Sequence, residues 1–272
     1  DPAPVRFDDY IETKALPQVQ ELVANYSLCE MWLDTPIYIP PNHSFAFYKA
    51  IYAANPEILV NQRIGNGFGD IGIPGDNIIP DEVSANTWEG IATTNNSWGF
   101  KSYDVDWKSP METLYWLIAN VSKGGNFLLN VGPDGTGMIP EKSVDNLLEV
   151  GKWLKVNGAA IYGSKPWKVA KEGPTDIQIK GTSHRRDSEF TFAFEANDFW
   201  FTSTQDRIYV IALADAVKGR IQVRSLAGVP IKEIKRLEDD QVLSWQACRD
   251  GIEIELPVLD SALDGYVLEV SV

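Results

Sequence analysis

Leu28-Cys29-Glu30-Met31-Trp32-Leu33-Asp34 is a short, mostly apolar run that ends in a carboxylate just before Thr35-Pro36. A run this short, bounded by Pro, reads as a buried strand rather than a helix, so Asp34 is expected where a strand passes into a loop. In a barrel of parallel strands that end is the active-site face. A lone Asp there commonly does no more than end the strand and accept loop hydrogen bonds. The stretches on either side decide between the two.

Upstream, residues 8–26 read as an amphipathic helix interrupted by Pro17. Downstream, His43 to Asn55 reads as a helix and Ile58-Leu59-Val60-Asn61-Gln62-Arg63 as a second strand that ends in Asn and Arg. A long loop with five Gly and two Pro follows, from Ile64 to Asn86; loops of that length inside a domain usually serve function. Trp88-Glu89-Gly90-Ile91-Ala92-Thr93 starts a third strand, and a helix runs from Pro110 to a Gly124-Gly125 stop. Asn126 to Pro133 is a fourth strand. The helix from Pro140 to Val156 is expected to turn Val144, Leu147, Leu148, Val150, Trp153 and Leu154 inward. Strand and helix alternate throughout, which means parallel βα units.

Beyond Trp167 the pattern changes to short runs of alternating apolar and polar residues separated by turns, from Phe190-Thr191-Phe192-Ala193-Phe194 to Tyr266–Val270. That is the pattern of an antiparallel β-sandwich. The boundary is expected near Ser164 to Gly173, which gives an α/β part over residues 1–167 and an all-β part over 168–272.

Composition narrows the function. The 272 residues carry 24 Lys plus Arg against 38 Asp plus Glu, a net charge of −14, which argues against nucleic acid or an anionic membrane as partner. Nine Trp, ten Tyr and eleven Phe in an acidic chain fit sugar binding, because rings stack on apolar sugar faces while carboxylates take hydroxyls, although core packing accounts for most of them. Cys29 and Cys248 are expected as buried free thiols. Only His43 and His184 are present, too few for a histidine-rich metal site, and no apolar run is long enough to span a bilayer. Four Asn-X-Ser triplets, at Asn25, Asn42, Asn95 and Asn120, match the N-glycosylation pattern.

Trp32-Leu33-Asp34, Asn61-Gln62-Arg63, Trp88-Glu89, Ser97-Trp98-Gly99-Phe100 and Asn157-Gly158-Ala159-Ala160-Ile161-Tyr162-Gly163 hold their order along the chain. Together with the run from Ser122-Lys123-Gly124-Gly125-Asn126 through Gly132-Pro133, they resemble glycoside hydrolase family 29, the α-L-fucosidases. The resemblance covers Phe7 to Trp167 and extends more loosely to the sandwich. It implies a (β/α)8-like, TIM-type barrel, here only its second half, and a retaining exo-glycosidase that removes terminal α-L-fucose through a glycosyl-enzyme intermediate. Asp34 matches the nucleophile, and Trp32, Arg63 and Trp98 match substrate-contacting residues. An Arg beside the nucleophile keeps it ionised.

The acid/base position departs from the family. The Glu that many members carry falls on Gly75, so Asp76 is the first choice and Glu89 the second, with Asp70 and Glu82 behind them. Asp76 reads equally well as a turn cap. Ile71 and Ile73 replace residues that are often Tyr and Thr in the family, which opens a second reading, action on a different sugar. A third is a catalytically silent carbohydrate-binding protein on the same fold. About four barrel strands can be counted where eight are needed, and the family's paired His residues have no match, His43 and His184 standing in other contexts. The chain is therefore expected to be the second part of a longer polypeptide, inactive alone. The resemblance further implies a fucosylated glycan as substrate, no cofactor, and an extracytoplasmic setting.

Overall fold

The computed structural model describes residues 6–34, 38–95, 97–175, 177, 193–214, 219–257 and 264–272. The chain begins with α1 (Phe7–Tyr10), a π-helical stretch over Ile11–Ala15, and α2 (Leu16–Asn25). The irregularity has a local cause. Pro17 lies in the first turn of α2, and with no N–H to give to the carbonyl four residues back it interrupts the α-helical ladder.

β1 (Glu30–Met31) leads through α3 (Pro41–Ala54) to β2 (Leu59–Val60), and the two strands pair in parallel, Glu30 with Leu59 and Met31 with Val60. This is the βα unit that the alternation of elements predicts. Met31, Val60, Phe47, Ile51 and Val19 form one apolar core between the strands and the helices. The second expected strand is shorter than its apolar run: Gln62–Ile64 turns into a 3₁₀ helix, which places Arg63 on a turn rather than on a strand.

The chain divides into two compact units. One is formed by the residues up to Ile73 with Asn86–Glu89, the other by Pro74–Ala85 with Gly90–Val272. β3 (Trp88–Thr93) begins in the first unit and continues into the second, where β4 (Gly125–Asn130) lies beside it and α4 (Pro110–Val121) connects the two. Ser109 caps α4, its Oγ accepting from the Glu112 N–H at 3.1 Å. α5 (Glu141–Asn157) follows.

The inner face of α5 is not the expected one. Ser143, Asn146, Val150, Trp153 and Asn157 are buried, whereas Val144, Leu147 and Leu148 are exposed. The buried positions are three and four apart, a helical stripe, but two of its first members are polar and held by specific bonds. Asn146 Nδ2 donates to the Lys108 carbonyl at 2.7 Å, and Ser143 Oγ is 2.9 Å from Thr94 Oγ1. Hydrophobicity alone selects the neighbouring stripe.

From β5 (Lys165–Glu172) onward all pairings are antiparallel among the described residues. β6 (Phe199–Ser203), β7 (Arg207–Ala212), β8 (Gly219–Val223), β9 (Glu233–Arg236), β10 (Trp245–Cys248), β11 (Gly251–Leu256) and β12 (Tyr266–Ser271) complete two sheets, ordered β5-β6-β7-β12-β9 and β10-β11-β8. The Phe199, Val210, Leu268, Val223 and Ile254 side chains share the core that joins them. The other face of the larger sheet, with Trp200, Ile211 and Val267, packs into a second core with Leu114, Ile118 and Trp153 of α4 and α5. Burial on both faces explains why β6, β7 and β12 read as nearly continuous apolar runs rather than strict alternation.

Most of the stretch read as a boundary, Ser164 to Gly173, is strand β5. Within the alternating region Val242 makes only an isolated bridge to Lys235, and strand pairing resumes at Trp245 with β10. Cys29 and Cys248 are free thiols, but Cys29 is exposed and Cys248 half-buried, because Cys29 stands before the first paired residue of β1. The strand read at Phe190–Phe194 falls largely outside the described residues, as does His184. No described helix is long and apolar enough to cross a membrane.

Candidate active site

The geometry at the end of β1 follows from one buried amide. Asn61, with no exposed surface, accepts from the Leu33 N–H at 3.0 Å and donates from Nδ2 to the Leu33 carbonyl at 2.9 Å. A side chain thereby imitates a strand partner just where the β1–β2 ladder ends. Leu33 is fixed, and with it the direction in which the next residue leaves. Removing such an amide strands two main-chain groups at about 1–3 kcal/mol each.

That next residue is Asp34. Arg63, carried by the 3₁₀ turn after β2, donates from Nη1 to Asp34 Oδ1 at 2.7 Å. The guanidinium also lies over the Trp32 ring, 5.1 Å from its centroid. The indole N–H of Trp32 in turn donates to Glu89 Oε2 at 2.8 Å. A continuous chain of contacts, Asp34–Arg63–Trp32–Glu89, thus joins the ends of β1 and β2 to the start of β3, all within the first unit. The Asp34 side chain is 55% exposed and Arg63 23%, so the ion pair opens to solvent, while Glu89 is buried.

The run that led to Asp34 contains another site residue, Glu30, not singled out from the sequence. Its Oε1 is buried and has no hydrogen-bond partner among the described residues. Burial, and then the negative charge of Glu89, push its carboxyl up to about 7 from 4.5. A signal was present: Glu30 is the one charged residue inside the run before Asp34, two positions from Trp32 and so on the same side of the strand.

The remaining candidates are placed as follows. Asp76 and Trp98 belong to the second unit. Asp76 is half-buried and its backbone bridges in parallel to Ile91, with the Asn77 N–H donating to the Ile91 carbonyl at 3.0 Å. Trp98 is half-buried and its carbonyl accepts from Asn130 Nδ2 at 2.9 Å. Gly75, where the family pattern expects Glu, has a φ of 142°, and a Cβ there would meet Ile78 Cδ1 at 2.6 Å. The backbone of this chain is therefore shaped for glycine at that position.

Asp70 does structural work, accepting from the Val60 N–H at 2.9 Å and the Tyr48 hydroxyl at 3.0 Å. Glu82 is exposed in the second unit. His43 is buried and its Nε2 lies 2.7 Å from Asp8 Oδ1, tying α3 to α1. Asp134, at the turn after β4, has its carboxyl held below the usual range by the Thr136 hydroxyl and by the main-chain N–H groups of Thr136 and Met138.

Comparison with known proteins places the chain in a family. The sequence model of the family described as Alpha-L-fucosidase matches residues 2–159. An Alpha-L-fucosidase of Dictyostelium discoideum is 29% identical over 261 residues, covering 92% of this chain and 53% of the relative. Tissue alpha-L-fucosidase of Homo sapiens is 30% identical over 265 residues, covering 92% of this chain and 52% of the relative. The chain spans about half the length of the curated relatives it matches. Among solved structures, Alpha-L-fucosidase isoenzyme 1 from Paenibacillus thiaminolyticus superposes over 100% of this chain and 64% of its own, with a TM-score of 0.81 at 26% identity.

Proposed function

The chain belongs to the α-L-fucosidase family, and on that premise we propose that it is the C-terminal part of a retaining hydrolase of terminal α-L-fucosides. On this reading residues 1–167 supply the second half of a catalytic (β/α)8-like barrel and residues 168–272 an accessory β-sandwich. The observation that carries the proposal is the chain of contacts from Asp34 through Arg63 and Trp32 to Glu89. It supplies a carboxylate, a cation, an aromatic face and a second carboxyl at adjoining strand ends.

In the proposed cycle the sugar packs against Trp32, and Arg63 holds both the substrate and Asp34. Pairing with a guanidinium favours the charged carboxylate that a nucleophile needs. Asp34 attacks the anomeric carbon as the acid/base carboxyl gives its proton to the leaving oxygen. The C–O bond to the aglycone breaks and a fucosyl-Asp34 ester forms. Water, deprotonated by the same carboxylate, then attacks the anomeric carbon, which frees Asp34 and restores the original configuration. Such pairs of carboxyls work about 5–5.5 Å apart.

Asp76 is assigned as the acid/base by its place beside Gly75. The hydrogen bond between Trp32 and Glu89 favours a second reading, with Glu89 in that role. Azide separates the two: in a retaining enzyme that has lost its acid/base, azide restores turnover of an activated aryl fucoside by forming the fucosyl azide. Rescue of Asp76→Asn or of Glu89→Gln names the residue.

The proposal is tested by the turnover of an aryl α-L-fucoside, the anomer first released, and the loss of both in Asp34→Asn. Fucose binding without turnover would replace it with the silent-binder reading, which the glycine-shaped backbone at position 75 favours. Turnover of a different aryl glycoside would move the substrate class. Further residues completing the barrel are part of the proposal, and an intact mass above 30.3 kDa, or a second polypeptide on a denaturing gel, is the expected result for the purified protein.

A further inference from the structure

Arg63 stands on a short turn rather than on a strand, so its aim depends on what holds that turn. The 3₁₀ helix Gln62–Ile64 has three residues, and Gly65 after it has a φ of 85°. Hydrogen bonds in so short a helix are poorly aligned, and it has little stiffness of its own. Two side chains outside it supply the restraint. Ser44 Oγ, fully buried in the first turn of α3, donates at 2.8 Å to the carbonyl of Ile64, the residue next to Arg63. Asn66 Nδ2 donates to Ser44 Oγ and to the Ile39 carbonyl, each at 2.8 Å.

The segments joined in this way are the two that lead away from the ion pair. Ile39 lies on the chain between Asp34 and α3, and Ile64 adjoins Arg63. The 2.7 Å bond from Arg63 Nη1 to Asp34 Oδ1 closes the ring from the other side. Asn66 has a φ of 56°, in the left-handed region that asparagine enters more readily than most residues. The hydroxyl of the Asn42-His43-Ser44 triplet is spent inside the fold, with one bond given and one received.

We propose that Asn66, acting through Ser44 and the main chain of the turn, is a positioning residue for Arg63: it holds the base of that side chain where the guanidinium meets Asp34 Oδ1 and the Trp32 face together. Those two contacts, 2.7 Å to the carboxylate and 5.1 Å to the ring centroid, leave a long side chain little tolerance for movement of its own Cα. Each hydrogen bond of the clamp has both partners in the first unit of this chain. The clamp is therefore complete without the residues that close the barrel. The inference rests on the hydrolase reading only for its effect on rate.

The test uses the complete polypeptide and the variant Asn66→Gly, which suits the left-handed backbone and removes only the amide. The first readout is the 15N spectrum of the arginine side chains, with Arg63 assigned by the signals lost in Arg63→Lys. An ion pair slows rotation about the Cζ–Nη bonds, so the two Nη groups of Arg63 should give separate resonances in the wild type and merge in Asn66→Gly. A wild type in which they are already merged, or an Asn66→Gly in which they stay apart, overturns the proposal. This measurement needs no catalysis and stands even where no fucoside is turned over.

The second readout is kcat/KM for an aryl α-L-fucoside. Asn66→Gly should lower it by about 10-fold to 100-fold, as misplacement of a positioning group does. In an Arg63→Ala background the same substitution should add less than about twofold, because its route to the site is gone. An equal loss in both backgrounds would show a residue that supports the fold alone and would overturn the proposal.

Discussion

Buried charge is handled in opposite ways in the sandwich and at the end of β1. In the sandwich Arg236, 2% exposed, donates to both oxygens of Asp239 at 3.1 and 2.6 Å and to Gln241 Oε1 at 2.9 Å. Glu269, 3% exposed, lies 2.9 Å from Arg207 and 3.4 Å from Lys235. With such partners the charges stay fixed, and Arg236 holds the Asp239 carboxyl below its ordinary range. At β1 the buried Glu30 Oε1 has no partner among the described residues, and burial pushes the carboxyl up to about 7. Complete pairing makes a charge part of the scaffold, and incomplete pairing leaves it able to respond.

Substitutions on each side should therefore separate stability from chemistry. The largest effect is expected for Asp34→Asn, a loss of roughly 10⁴-fold or more in kcat with little change in thermal midpoint, measured with an aryl fucoside and by circular dichroism. Equal losses of activity and stability would mean that Asp34 is scaffold, like Asp239.

Arg236→Ala should do the reverse, costing about 1.5–3 kcal/mol in a urea titration, since it removes the charged hydrogen bonds of a buried guanidinium to an Asp239 that is itself partly exposed. Asn61→Ala tests the boundary between the two classes. It should cost about 2 kcal/mol or more through the stranded Leu33 main chain and also lower kcat/KM, because Asp34 is aimed by that residue. Ser109→Ala, which removes the α4 cap, should cost only about 1 kcal/mol and leave kcat/KM alone.

The smallest effect is the pH dependence of stability at Glu30. Its folded pKa of about 7 lies above the value of 4.5 for the free group, so its contribution is fully present below 4.5 and is lost as pH rises towards 7. Glu30→Gln, which does not titrate, should accordingly raise the thermal midpoint at pH 8 more than at pH 5. An equal shift at both would show that packing, rather than charge, is what the substitution changes.

How much of this was legible in the sequence depends on the range of the interaction. Met31 and Val60 sit in apolar runs whose length and Pro boundaries announce short strands, and the Pro110 and Gly124 punctuation marks α4 and its end. Position 75 could be seen to lack a carboxylate, but not that its backbone suits glycine, which depends on the φ of 142° that the loop adopts there. The face of α5 was misread because Ser143 and Asn146 are buried by hydrogen bonds to Thr94 and Lys108, partners that no periodicity records.

By itself the sequence determined the order of βα units, the change to antiparallel strands, the family, and Asp34 and Arg63 as the residues to watch. Each of these rests on local pattern or on motif. The tertiary structure alone decided that Trp32 reaches Glu89 across 57 residues and that Glu30 Oε1 is buried with no hydrogen-bond partner among the described residues. The reason is physical: a side chain's chemistry belongs to the residue, but its protonation and aim belong to whatever strand pairing brings against it.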